Sequence, residues 1–356
     1  MAVHLDELTL TDPVYRPKAS HGQVDRFFLR FINDERDLPF VHFMVEATLV
    51  VIPFALYLYL GTFRWWLAAI YLPLNFAWYM DRFILILHNT SHRPLFRKKY
   101  RFLNSYIPWI LGPFFGESPE TYFVHHVGMH HVEENLQDDL SSTMAYRRDS
   151  FVGWLTYFLR FFFFGLGELA LYFAKKRRRK LLARLLTGEI GFVVFVVLAS
   201  VFNWRATLVV FIIPLLFCRF MMMVGNWAQH AFIDPQRPED PFTSSITVVN
   251  CRYNRRSFND GYHIGHHRRA TRHWTEMPVE LDKDRALYAE RNAIVFHGID
   301  FTTVWFFLML KRYDLLARHF VETQRPARTQ DEVVAFLRGR TQPVVDAAGV
   351  TAEAAQ

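Results

Sequence analysis

The chain has 356 residues, 51% hydrophobic and 17% aromatic with 36 Phe, yet 21% of it is charged. Phe at this level is unusual for a soluble domain and suits a protein that faces lipid or lines an acyl tunnel. The net charge of +7 raises nucleic acid as a partner, but the basic residues cluster beside apolar segments, as cytoplasmic membrane flanks do, and no nucleic acid is expected.

Residues 1–25 contain acids and no apolar stretch, so no signal peptide is expected, and residues 1–38 read as a cytoplasmic N-terminal segment. Residues 40–60 are apolar except for His42 and Glu46. At about 1.5 Å per residue they reach across a bilayer core of about 30 Å. Gly61 to Arg64 form a turn and residues 65–87 return, with Asp81 and Arg82 near the end, where they can pair or snorkel. Residues 151–174 are long enough to span but carry Arg160 and Glu168. A crossing there would put the basic run 175–180 outside, so this segment is read as an interfacial helix. Residues 188–203 and 206–225 form a second pair of spans, joined through Trp204 and Arg205. Residues 294–310, with His297 and Asp300 inside, are read as another surface-lying helix.

Of 41 Lys and Arg residues, only Arg64 and Arg205 fall in the outer turns, a strong positive-inside asymmetry. The expected fold is therefore all-α and integral to the membrane. It has four transmembrane helices as two hairpins, interfacial helices, and a cytoplasmic histidine-rich cap. Residues 39–325 form the membrane domain and 326–356 a C-terminal segment, in which 342–356 read as a disordered tail.

Nine of the 16 histidines fall in four groups. They are His88 and His92 in HNTSH; His126, His130 and His131 in HHVGMHH; His230; and His263, His266 and His267 in HIGHH. The expected topology puts every group on one membrane face. His88 and His92, like His126 and His130, are four residues apart and share a helix face, and Asn226 stands in the same relation to His230. Neutral imidazole is the commonest ligand of zinc, copper and iron, and so many imidazoles exceed the needs of one metal. The chain has no Glu-x-x-His pair of the soluble di-iron kind and no His-Glu-x-x-His pattern. A nitrogen-rich site for two metals beside apolar spans suits redox-active iron, although ligand type alone leaves zinc open. Cys218 and Cys251 are the only cysteines. An iron–sulfur cluster takes about four, so electrons must come from a separate protein, and no disulfide is expected. A membrane haem or ion-transport protein is the reading from another class, but paired haem ligands belong within spans, and these groups sit at span ends. Of the seven other histidines, six (His4, His21, His42, His273, His297 and His319) are taken as structural.

The series HxxxH, HxxxHH, NxxxH, HxxHH, spread over residues 40–280, resembles the membrane fatty acid desaturase superfamily. Its relatives include fatty acid and alkane hydroxylases and decarboxylases that form 1-alkenes. The resemblance implies two iron ions held by His88, His92, His126, His130, His131, Asn226, His230, His263, His266 and His267. It further implies O2 as co-substrate, oxidation of an unactivated C–H bond, and a fatty acid or fatty acyl substrate. Electrons would come from an external donor such as ferredoxin or cytochrome b5 with its reductase. No His-Pro-Gly-Gly segment occurs, so a fused cytochrome b5 domain is not expected. The second group is HxxxHH, with His125 as an extra neighbour, where many desaturases have HxxHH. Desaturation is the first expectation, oxidative decarboxylation to a 1-alkene the second and hydroxylation the third. The expected location is a bacterial inner membrane, in contact with its lipid, with the site on the cytoplasmic face.

Metal-bound imidazoles usually donate their outward N–H to a neighbouring acceptor, and Asp138, Asp139, Asp260 and Glu276 are candidates, with His125 as a further neighbour. Trp227 could wall a substrate tunnel or simply pack. Arg93, Arg97, Lys98, Lys99, Arg252, Arg255, Arg256, Arg268, Arg269 and Arg272 surround the site. Most suit anionic lipid; Arg268 and Arg269 are the candidates for a substrate carboxylate or phosphate.

Overall fold

The computed structural model describes residues 3–344 and is mostly helical. Its contacts divide the chain into two compact units, one made of Tyr15–Gly128 and Leu169–Met221, the other of Met1–Val14, Met129–Glu168 and Met222–Gln356.

In the first unit the helix Leu38–Leu60 ends at Gly61, whose N–H bonds to the Tyr57 carbonyl. The chain then doubles back through the helix Trp65–Pro73, a π-helical stretch Leu74–Met80 and the helix Asp81–His92. The rings of Phe54 and Tyr71 lie 5.4 Å apart, whereas on a straight helix their separation would be about 25 Å. The polar residues inside this apolar pair satisfy one another. Glu46 accepts from Trp78 Nε1 at 3.2 Å and Tyr79 Oη at 3.0 Å, and Arg82 lies 3.8 Å from the same carboxylate. That pairing is how an acid and a base are tolerated there.

The helix Arg179–Thr207 is broken at Asn203 (φ −154°, ψ 90°), one residue before the expected turn. Asn203 Oδ1 accepts from Ala206 N at 3.1 Å, and Phe195 and Phe211 meet at 5.0 Å across the bend. The chain continues as the helix Ile213–Gln229. Two glycines let backbones touch in this unit. A Cβ on Gly188 would overlap the Pro119 carbonyl oxygen, and one on Gly116, at φ +81°, would overlap that of Pro214.

Among the described residues, three segments are long and apolar enough to cross a membrane: Glu35–Leu60, Phe151–Lys175 and Arg179–Gln229. Residues 65–92 reach such a length only as a succession of helix types. The segment expected to lie on the interface, 151–174, qualifies as a crossing helix by length and apolarity, and its two charges pair, Arg160 Nε to Glu168 Oε1 at 3.0 Å. Val193, Val194, Val197, Leu198 and Val201 are all exposed, Val201 at 83%, an apolar face that suits lipid and not water.

The second unit corrects the all-α expectation. It holds a four-stranded mixed sheet in the order β1 (Val3–His4), β4 (Phe320–Glu322), β3 (Ile294–His297) and β2 (Ile246–Val249). β2 pairs with β3 in parallel, and β3 with β4 antiparallel. Side chains alternate between faces, as strand geometry requires. Ile246, Val248, Ile294 and Phe296 pack with Phe301, Leu308 and Leu316, and Val249 and Val295 with Tyr262, Ile264 and Tyr288. The surface helix expected over 294–310 is likewise corrected. Its first residues are β3, Gly298 turns the chain at φ +76°, and only Phe301–Met309 is helical, capped by Asp300 Oδ1 accepting from Thr303 N at 2.8 Å. The tail expected over 342–356 lies, from 345 onward, outside the described residues.

Candidate metal centre

Each unit gathers imidazoles of its own. In the first, His88 and His92 stand one turn apart at the end of the helix Asp81–His92, with ring centroids separated by 5.4 Å. The His126 ring lies 4.6 Å from His88 and 5.0 Å from His92. The ligating nitrogens of these three lie within 4.8 Å of one another. Tyr122, one turn before His126, rests against the triad, 5.1 Å from the His126 ring and 6.3 Å from that of His88.

In the second unit the tautomers can be read from the partners. His230 Nδ1 lies 2.9 Å from the Ser244 carbonyl oxygen. A carbonyl only accepts, so Nδ1 carries the proton and Nε2 presents its lone pair. His130 Nδ1 lies 2.7 Å from Asp139 Oδ2, so it too donates outward and leaves Nε2 for the centre. Asp139 is buried and itself held, accepting from Asn135 N at 2.9 Å and from Ser141 N and Oγ at 2.8 and 2.7 Å.

The inward nitrogens crowd together. His230 Nε2 and His263 Nε2 are 3.1 Å apart, His263 Nε2 and His267 Nε2 3.0 Å, and His131 Nε2 and His266 Nε2 2.8 Å. Those of His130, His230 and His267 lie within 4.8 Å of one another. Two imidazoles about 2.1 Å from one cation and at a right angle to each other have nitrogens about 3.0 Å apart, so this spacing fits ligands sharing a metal. Burial pushes the His230 pKa down to about 3, and that of His267 well below its ordinary value. Both are therefore neutral near pH 7, the form that binds metal. The donor set fits a first-row transition metal.

With this geometry the family model described as Fatty acid desaturase matches residues 63–298. The chain belongs to the fatty acid desaturase family. No curated protein and no solved structure matches it. Family membership implies an oxidoreductase, and together with three apolar helices it places the chain among membrane proteins.

The other residues singled out from this desaturase-family sequence are placed as follows. Asn226 Nδ2 donates to the Ser141 carbonyl at 3.0 Å and to Tyr157 Oη at 2.7 Å, which fixes the amide and leaves Oδ1 as its ligand-type atom. Asp260 accepts from Tyr253 Oη at 2.6 Å, Glu276 closes the short turn Trp274–Glu276, Asp138 is exposed and His125 half-buried. Trp227 is buried, donates from Nε1 to the Arg148 carbonyl at 3.0 Å, and packs between Tyr146 and Tyr157. Arg268 is engaged by Asp284 and lies over the Phe242 ring, whereas Arg269 is exposed.

Sequence reasoning missed three supports. Ser244 acts through its backbone carbonyl, which no side-chain pattern announces. Ser141 braces Asp139. Arg148, wholly buried, donates to the carbonyls of Ala231, Thr143, Met144, Tyr146, Arg340 and Gln342 and so fixes the chain immediately after His230. An arginine flanked by Arg147 and Asp149 gives no sign in sequence of being a core residue.

Proposed function

We propose that the protein is a multi-pass membrane di-iron oxidase that introduces a C=C bond into a fatty acid or fatty acyl chain. The nine imidazoles and Asn226 would hold two irons on the cytoplasmic face of four crossing segments. Bound iron would supply O2 activation and the oxidising power to take hydrogen from an unactivated methylene. The chain's own part is to keep that oxidant site rigid and correctly protonated. The Ser244 carbonyl and Asp139 hold the outward N–H of His230 and His130, so their inward nitrogens present lone pairs. Burial keeps His230 and His267 neutral, and Tyr157 with Ser141 aims the Asn226 amide. The outward anchoring of His230 and His130 is the observation that carries the reading, because hydrogen-bonded acceptors behind buried imidazoles are what metal ligands need. The donor would be an external one-electron carrier such as ferredoxin or cytochrome b5.

The test is product analysis. Detergent-purified protein, loaded with iron, is given a deuterated fatty acid, O2 and a ferredoxin system. A mono-unsaturated acid that forms only with O2 and reductant supports desaturation. A one-carbon-shorter 1-alkene in the headspace, or a hydroxy acid, would replace desaturation with decarboxylation or hydroxylation.

A further inference from the structure

The first unit contains a cavity beside the imidazole triad. It offers water-sized molecules about 260 Å³ and is lined by Leu87, Thr90, Ser91, Glu117, Ser118, Tyr122 and Arg184, among others. A water needs about 10–15 Å³ of such space, so several fit. In sequence Leu87 directly precedes the ligand candidate His88, and Ser91 directly precedes His92. Tyr122 belongs both to the cavity wall and to the imidazole triad, where it lies 5.1 Å from His126.

The acid in that wall is buried. Glu117 is 6% exposed, and its Oε1 accepts from the Cys218 thiol at 3.3 Å. The loop that carries it is held firmly. Ser118 and Thr121 both donate to Glu189, Glu189 lies 3.6 Å from Arg219, and Glu120 is clamped by Arg184 and by Trp109 Nε1. The backbone contacts at Gly116 and Gly188 bring the loop against the later helices. Burying a carboxyl is costly unless it is hydrogen-bonded or paired, and the Cys218 thiol is a weak donor.

We propose that this cavity is the proton entrance of the metal centre, with Glu117 carrying protons from its water towards the His88, His92 and His126 triad past Tyr122. The inference rests on the oxidase reading. In desaturation two adjacent C–H bonds break and one C=C bond forms. The two hydrogens leave with O2, which also takes two electrons from the donor protein and two protons from solvent, giving two waters. Those solvent protons need a path into a site where His88 is buried and His92 and His126 are half-buried.

The surroundings suit a carrier. Burial pushes the Glu117 carboxyl up to about 7, the nearby Glu189 charge adds to the rise, and Arg219 with the Cys218 thiol pulls against it. A group titrating near the working pH both takes and gives protons readily.

The experiment compares wild type, E117Q and E117D as full-length, iron-loaded protein, and also as metal-free protein by infrared spectroscopy. E117Q is expected to keep its iron and its substrate KM, to lose about 100-fold in kcat, and to lose the pH inflexion near 7; E117D is expected to recover part of both. In the metal-free wild type, a protonated-carboxyl band should vanish as pH rises through about 7 and be missing from E117Q. If E117Q does not fold, E117D and the wild-type infrared titration decide. Wild-type kcat and pH profile in E117Q, or a carboxyl already ionised at pH 5 in the wild type, would overturn the proton route while leaving the oxidase reading in place. A wild type with no O2-dependent turnover would overturn both.

Discussion

Replacing Asp139 by Asn tests how the imidazoles are aimed. Asp139 Oδ2 accepts from His130 Nδ1 at 2.7 Å and from Asn135 N at 2.9 Å, while Oδ1 takes Ser141 N and Oγ. An amide of the same size can keep only one of those oxygen positions. If its NH2 replaces Oδ2, two donors face a donor, and His130 relieves the clash by moving its proton to Nε2. That nitrogen then points an N–H, not a lone pair, towards the metal. Hydrogen bonds to a charged acceptor contribute about 1.5–3 kcal/mol each, so losing two costs about 3–6 kcal/mol before relaxation. Removing such an outward partner typically weakens metal binding by about 10–100-fold. The assay is competition for iron against a chelator series in detergent, with thermal unfolding alongside. D139N should lose iron to a chelator at least tenfold weaker than the wild type requires. Wild-type iron affinity in folded D139N would refute the idea that this carboxylate sets the His130 tautomer.

Further outcomes follow from the same geometry. R148K keeps the charge but cannot reach six carbonyls at once; it should lower stability by about 3 kcal/mol, read as a fall in Tm. G188A should drive its methyl into the Pro119 carbonyl and cost about 1–3 kcal/mol, measured by chemical unfolding in detergent. For pH, the folded His230 titrates at about 3 and an unfolded histidine at about 6.5. Between those values the unfolded chain binds the proton and the folded one does not, so stability of the metal-free protein falls as pH drops through this window. The slope should reach about 1.4 kcal/mol per pH unit for this residue, and H230N should reduce it.

The sequence made the four histidine groups legible because metal ligation constrains residue type and spacing at once. His88 and His92 need one helical turn, and the helix Asp81–His92 provides it. The reversals near Gly61 and Asn203 were visible because long apolar runs must be interrupted where a chain turns in a bilayer. The strands Ile246–Val249 and Ile294–His297 were not, since each is only four residues long, with three apolar residues buried on both faces, and so carries no period to separate strand from helix. The apolar run of Phe301–Met309 then drew β3 into one apparent helix. The outward anchors were only half legible. Asp139 could be nominated as an acid close to a histidine group, but the Ser244 carbonyl and the Arg148 knot depend on chain segments that tertiary folding brings together.

The central claim is that these imidazoles cage a pair of irons. Metal analysis with Mössbauer spectroscopy on protein loaded with 57Fe tests it most directly. The account predicts two irons per chain in nitrogen-rich sites that are magnetically coupled when oxidised, with both lost in H130A and H266A. A single iron, a haem, or zinc alone in active protein would contradict it.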